Sequence, residues 1–269
     1  VKALSNDIVW ALASDTQFPY HDRRALELWF KVLKYLKPDA VDYLGDISDQ
    51  ACFGRFVKGT PDEFKIKYAQ ELEEQSFLSL AQAEEKIARD FYAQTRQMLP
   101  DADIFVALGN HDIRIFDYAE KNFSDDLEHL TPESLWGLDN IGAGYIYYGD
   151  LPAHRFGDIY VHHGVSVSQH AGDSARKDVD SFGVSIIRGH SHRIGDYYKT
   201  HELRNETLRG FEIGHLSDMK SAGMMYTNVH NWQQGFAFAV IENGSHPHVQ
   251  VVKISPDYTC YIGRRKFVA

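Results

Sequence analysis

Short apolar runs that stop at clusters of polar residues organise the first half of the chain. Ile8 to Ala13 is such a run and stops at Ser14-Asp15-Thr16-Gln17; Ala40 to Leu44 stops at Gly45-Asp46; Ile104 to Leu108 stops at Gly109-Asn110-His111-Asp112. Between the first two lies a stretch with helical periodicity. Asp22 is its expected cap, Leu26, Trp29, Phe30, Leu33 and Leu36 form its apolar stripe, and Lys37-Pro38 ends it after Tyr35. Residues 62 to 98 are rich in Glu, Gln, Ala and Lys and read as two solvated helices. Strand, polar turn and helix in repetition is the pattern of a parallel α/β layer, where ligands collect at the carboxyl ends of the strands. In the second half, strands are expected at Gly144 to Tyr148, Asp158 to Val161, Val184 to Ile187, Phe211 to Ile213, Phe236 to Glu242 and His248 to Ile254. A short helix is expected at Ser174 to Phe182, and Asn243-Gly244 is a hairpin signal between the last two strands. The expected fold class is α/β, with a two-layer β core and helices outside. The 269 residues read as one domain, 1–269, with a helical insertion at about 55–98.

Composition narrows the function. No apolar run reaches the roughly 18–20 residues that cross a bilayer, and Val1-Lys2-Ala3-Leu4 is not the core of a signal peptide. Cys52 and Cys260 alone make no disulfide framework, so a cytoplasmic location is the expectation and the three glycosylation-type triplets read as chance. Lys and Arg total 28 against 38 Asp and Glu, a formal net charge of −10 that opposes non-specific binding of long duplex.

Five polar clusters, each closing an expected strand, hold Asp15 and Gln17, Asp46, Asn110 with His111 and Asp112, His162 with His163, and His190 with His192. Carboxylate, amide oxygen and imidazole together are donors that divalent manganese, iron or zinc accept. Taken singly, each cluster has an ordinary reading. Asp15 can cap a turn, Asn110 can sit in left-handed geometry, and a Gly-His-Ser-His can be structural.

In this order Asp15-Thr16-Gln17, Gly45-Asp46-Ile47-Ser48-Asp49, Gly109-Asn110-His111-Asp112, His162-His163-Gly164 and Gly189-His190-Ser191-His192 resemble the motifs of the calcineurin-like metallophosphoesterases. Asn231-Trp232-Gln233-Gln234-Gly235-Phe236 and Ala175-Arg176-Lys177 are similar to phage-borne members, for which the location would be the host cytoplasm. The resemblance implies a four-layer α/β/β/α fold and a hydrolase that splits phosphoesters with two divalent ions, manganese foremost, with iron, zinc, nickel or magnesium as alternatives. Asp15 and His192 are implied to hold the first ion, with Gln17 where histidine is commoner, and Asp46 to bridge. Asn110, His190 and His162 would complete the second, with His163 the alternative to His162. His111 is implied to protonate the leaving group and Asp112 to orient it. Gln17, a neutral oxygen donor, is expected to weaken the first position and favour manganese over zinc.

Nucleotides or DNA ends are the substrates the phage-type segments imply. A metal-binding scaffold acting through protein partners is the alternative from another class. Other residues have lesser roles in this reading. Asp49 bonds within its turn or supports a ligand; Arg176, Lys177, Arg188 and Arg193 are either phosphate contacts or solvated surface; His21 and His215 are candidates for the rim of the site. The helical stretch is a solvated pair, a lid or an oligomer contact, and the sequence leaves the oligomeric state open.

Overall fold

The structure is a computed structural model that describes residues 7–50, 53, 80–122, 129–150, 154–221, 224, 231–242 and 246–269. Strand β1 (Asp7–Ala13) leads to helix α1 (Arg23–Leu36) and strand β2 (Ala40–Tyr43). Helix α2 (Leu80–Met98), strand β3 (Asp103–Ala107), helices α3 (Arg114–Asn122) and α4 (Pro132–Trp136) and strand β4 (Gly144–Ile146) follow. The second half supplies β5 (His154–Phe156), β6 (Ile159–His162), helix α5 (Asp173–Phe182), β7 (Ser185–Arg188), β8 (Ile194–His201) and β9 (Glu206–Ile213). It closes with β10 (Gly235–Glu242), β11 (His248–Lys253), β12 (Thr259–Ile262) and β13 (Arg265–Val268).

Two mixed sheets result. One has the order β11-β10-β1-β2-β3-β4, with β1 to β4 parallel; the other has the order β5-β6-β7-β9-β8, with β6, β7 and β9 parallel. Alternation along the strands explains how they stack. Trp10 and Leu12 of β1 and Ala237, Ala239 and Ile241 of β10 point one way, into a buried cluster with Ile159, Val161, Ile187, Phe211 and Ile213 of the other sheet. Ala11, Ala13, Phe236 and Phe238 point the other way, into a second core shared with α1 and α2. Ala175 and Val179 of α5 press on β9 at Gly210, which covers the outer face of the second sheet. The layers therefore run helix, sheet, sheet, helix, as expected.

Helix α1 begins where the sequence pattern puts it. The Asp22 carboxylate accepts the Arg24 and Ala25 N–H groups, and Lys37 ends the helix in left-handed geometry. Strands β5, β8, β12 and β13 and helices α3 and α4 were not anticipated. The helix at the end of the charged stretch also differs from expectation. Ala88, Phe91, Tyr92 and Thr95 lie at spacings of three and four, so α2 buries a full stripe against the first sheet, with Tyr43 Oη 2.7 Å from Thr95 Oγ1. It is part of the core rather than one of a solvated pair. The rest of the expected insertion, residues 54–79, and the Asn243-Gly244 turn lie outside the described residues. No helix among the described residues is long and apolar enough to cross a membrane.

Candidate metal centre

The parallel strands of both sheets end at the same edge, and each hands its polar cluster to a short loop there. Backbone hydrogen bonds knit these loops: Asp15 N to Gly45 O at 2.9 Å, Gln17 N to Asp46 O at 2.9 Å, Gly189 N to His163 O at 3.1 Å. Two glycines permit the close approach. A Cβ on Gly109 would collide with the Asp46 carboxylate, and one on Gly189 with the Ser14 hydroxyl. Asp15, Gln17, Asp46, His190 and His192 all have positive φ, between 51° and 66°. Left-handed geometry is unfavourable for side chains other than glycine, and its concentration at these positions marks backbone held against its preference to aim side chains inward.

Asp46 lies at the middle of what converges. His163 Nε2 is 3.2 Å from Asp46 Oδ2, 3.2 Å from Asn110 Oδ1 and 3.1 Å from His190 Nδ1. Asp46, His163 and His190 form a group whose donor atoms all lie within 4.8 Å of one another. Toward β1, Gln17 Nε2 donates to Asp46 Oδ2 at 3.2 Å, and His192 Nε2 is 3.0 Å from Asp15 Oδ1. The remaining Asp15 oxygen accepts the His190 N–H and the Ser14 hydroxyl. Of the residues anticipated as ligands, Asp15, Gln17, Asp46, Asn110, His190 and His192 are thus brought together.

His162 is not. The structure puts its Nε2 3.2 Å from Asp178 Oδ2 of α5, and Asp178 also takes the Arg188 guanidinium at 2.8 Å. Strand β6 continues through His162, so successive side chains alternate sides, and His163 is the one that faces Asp46. The expectation favouring His162 is corrected on this geometry. His163 Nδ1 lies 2.7 Å from Leu44 O; donation of its proton there leaves the Nε2 lone pair toward the cluster, the arrangement that metal-binding imidazoles adopt.

Asp112 is also placed differently from expectation. Its Oδ2 accepts the N–H groups of Asp46 and Gly109 at 2.7 and 2.8 Å, and its Oδ1 that of Ser48 at 2.9 Å. It pins two loops together and does not touch the His111 ring. The carboxylate on His111 is Asp49, whose Oδ1 is 2.6 Å from Nδ1. Arg114, which the sequence pattern does not single out, donates to Asp49 O at 2.8 Å and lies 3.0 Å from His111 Nε2. Its place one turn after His111, at the start of α3, was the available signal.

The charges respond to this crowding. Burial opposes the His163 cation, yet Asp46 and Asp15 outweigh it and raise His163 to about 9. Burial and the neighbouring His163 cation push His190 down to about 3. Burial works against the Asp46 carboxylate, but His111 and His163 hold it well below its usual value. Burial and the Asp46 charge push Asp112 up to about 7, against the pull of its backbone donors.

The donor set fits divalent ions. Gln17 Oε1 and His192 Nδ1 are buried and have no hydrogen-bond partner among the described residues. A half-turn of the Gln17 amide exchanges its nitrogen for its oxygen beside Asp46, the change a cation there would favour.

The lesser candidates separate clearly. Arg188 is fully buried as the partner of Asp178, and Arg176 pairs with Asp173 and Asp180 on α5 beside exposed Lys177. Arg193 is buried, with Nε and Nη1 lacking hydrogen-bond partners among the described residues. His215 stands at the rim, its ring 5.2 Å from that of His192 and its Nδ1 2.7 Å from Ser217 Oγ. His21 packs on Phe18, ring centroids 4.7 Å apart, and burial with the nearby Arg23 charge lowers it to about 4.

The layered sheets and the motif-bearing loops at their common edge are the arrangement that the resemblance to calcineurin-like metallophosphoesterases implies. No family model matches the chain. It is 32% identical over 253 residues to the Gene 54 protein of Mycobacterium phage L5, covering 90% of this chain and 91% of that one. The same figures hold for the Gene 54 protein of Mycobacterium phage D29. The chain belongs to the family of these mycobacteriophage Gene 54 proteins. Among solved structures it is similar to vacuolar protein sorting 29 of Cryptosporidium parvum, at 12% identity over 98% of this chain and 99% of that one, with a TM-score of 0.46. The nuclease MPE of Pseudomonas putida is 9% identical over 90% of this chain and 87% of that one, with a TM-score of 0.38.

Proposed function

We propose that this chain is a phosphoester hydrolase that works with two divalent ions, manganese foremost, on nucleic acid or nucleotides. The observation that carries the reading is the convergence of Asp46, Asn110, His163 and His190 within hydrogen-bond range of a common point, with Asp15, Gln17 and His192 on the other side of Asp46. Asp15, Gln17 and His192 would hold one ion, Asn110, His163 and His190 the other, and Asp46 both. When bound, such ions supply positive charge to the phosphoryl oxygens and acidify a water molecule.

The protein's own part is to hold and move a proton. Donation of the His111 Nδ1 proton to Asp49 fixes the ring and stabilises its cation; burial opposes that cation, but Asp46 and Asp49 raise the group above its ordinary value. The protonated ring can then give its Nε2 proton to a departing alkoxide. Arg114, which has only N–H groups to offer, donates to that nitrogen in this arrangement, so the guanidinium must turn from Nε2 to an arriving phosphoryl oxygen before the ring can carry the proton there.

His111→Ala tests this arrangement. A catalyst is expected to keep its metal content and lose on the order of a hundred- to ten-thousand-fold in kcat, whereas a scaffold is indifferent. The assay is turnover in a manganese-supplemented screen of bis-p-nitrophenyl phosphate, cyclic nucleotides, nucleoside diphosphate esters and single- and double-stranded DNA. Turnover of none of these by the manganese-loaded protein would rule the hydrolytic reading out.

The His163 proton gives a pH dependence. Raised to about 9 in the metal-free chain, His163 is protonated at neutral pH and must shed that proton to bind an ion. Manganese affinity is therefore expected to strengthen by up to about tenfold per pH unit on going from pH 7 toward 9. Calorimetric titrations in buffers of different ionisation enthalpy check it, since proton release must accompany binding.

A further inference from the structure

The face of the molecule built by α1 and the β12–β13 hairpin breaks with the acidity of the chain. A groove of about 590 Å³ there is lined by Lys31, Lys34 and Lys37 from the end of α1 and by Arg265 and Lys266 from β13. Among the described residues no Asp or Glu lines it, in a chain where acids outnumber bases 38 to 28. Glu27, just outside, pairs with Lys31 at 2.6 Å; Lys34, Lys37 and Lys266 have no ion pair among the described residues. The negative end of a helix accounts for lysines at the close of α1. It does not account for two more cations brought in by a strand some 230 positions later.

Aromatic rings are interleaved with these charges. Tyr35, 41% exposed, stands between the lysines, with the Arg265 guanidinium 4.3 Å from its ring centroid and the Phe267 ring tilted against it at 5.3 Å. The same pairing recurs at the other end of the helix, where Arg24 lies 4.1 Å from the Tyr258 ring. Arg24, Lys31 and Tyr35 share one face of α1, spaced seven and four residues apart, and Glu27, between Arg24 and Lys31 on that face, is held by Lys31. From Arg24 to Tyr35 the helix rises roughly 16 Å, the length of four or five stacked nucleotides at about 3.4 Å each. The start of α1 adjoins the metal loops: Asp22 N bonds to Leu216 O, and Leu216 N to Asp15 O. The face thus runs from the edge of the candidate site to the far end of the sheet.

We propose that this face is a track for single-stranded nucleic acid, lysines meeting phosphates and the exposed rings meeting bases. Cations with interleaved aromatics are the chemistry that single strands require. A duplex offers no unstacked base to the rings, and the net charge of −10 repels its denser phosphates. The proposal concerns binding and stands apart from the hydrolytic reading.

Anisotropy of a labelled oligothymidylate of about 20 nucleotides, measured with the full chain in EDTA, tests the track without the metal site. Wild type is expected to bind, with affinity falling between about 50 and 200 mM salt. Lys34→Glu with Lys266→Glu is expected to weaken binding at least about tenfold and to lower the salt slope by about 0.7 for each phosphate no longer neutralised. Tyr35→Ala is expected to weaken binding about tenfold with little change in that slope. Unchanged thermal melting, and unchanged turnover of any small phosphodiester the wild type cleaves, would show that the variants are folded. Three outcomes overturn the proposal: no binding by wild type at low salt, indifference to these substitutions, or equal displacement by polyglutamate, which would make the face a surface for acidic peptides.

Discussion

His163→Ala is expected to leave the protein with one bound divalent ion where the parent holds two, and to lower phosphodiester turnover by roughly three orders of magnitude. The imidazole removed is the one within 3.2 Å of Asp46, Asn110 and His190 together. His162→Ala is expected to retain both ions. Its cost falls on folding, at about 1–3 kcal/mol for a buried polar group removed from beside Asp178, and Arg188 remains to hold that carboxylate. Metal content by mass spectrometry alongside turnover separates the two variants. Were His162→Ala to lose an ion and His163→Ala to keep both, the ligand assignment would have to be reversed.

Asp112→Ala carries the second large effect, and it falls on stability. Three backbone N–H groups, from Asp46, Ser48 and Gly109, lose their acceptor at once in a place closed to water. At about 1–3 kcal/mol for each orphaned donor, and about 2–4 °C per kcal/mol for a chain of this size, melting in EDTA is expected to fall by roughly 10 °C or more. Asp46 and Asn110 are carried on the loops released, so metal affinity should fall with it. Asp49→Asn makes the contrast. It leaves that clamp intact and is expected to spare the melting temperature while moving the alkaline limb of the pH–rate profile to lower pH, because His111 acts in its protonated form and loses a carboxylate that raises it. A melting temperature unchanged in Asp112→Ala would show that the loops are held by something else.

The fold was legible wherever both neighbours of a strand are strands. The runs at β1, β2 and β3 are mostly apolar because each is covered on both faces, with Asp42 of β2 the buried exception, bonded to His154, and their bounds agree with expectation to within a residue. Strand β8 was missed for the opposite reason. Ile194–His201 is an edge strand with half-buried and exposed positions and no apolar face, and only its pairing with β9 defines it. Helix α2 was legible as a helix but not as core, because its charges mask a four-residue stripe that only the sheet reveals.

In the site, the residue types at strand ends could be read directly. Which of two adjacent histidines turns inward could not, since that depends on where β6 stops pleating. The roles of Asp49 and Asp112 were hidden likewise. Both follow Asp46 or Asn110 within a few positions, and only the folded loops decide which carboxylate meets an imidazole and which meets main-chain N–H groups.

Five donors of the candidate centre sit on backbone that any sequence optimised for folding alone would hand to glycine. Each such position favours replacement on stability grounds, as does the burial of like charges around Asp46. On the two-ion reading, ion uptake would offset a cost incurred in folding, and drift that abandoned the chemistry would make the protein sturdier. A lineage that keeps Asp15, Gln17, Asp46, His190 and His192 in these postures would, on that reading, keep them for the ions they hold.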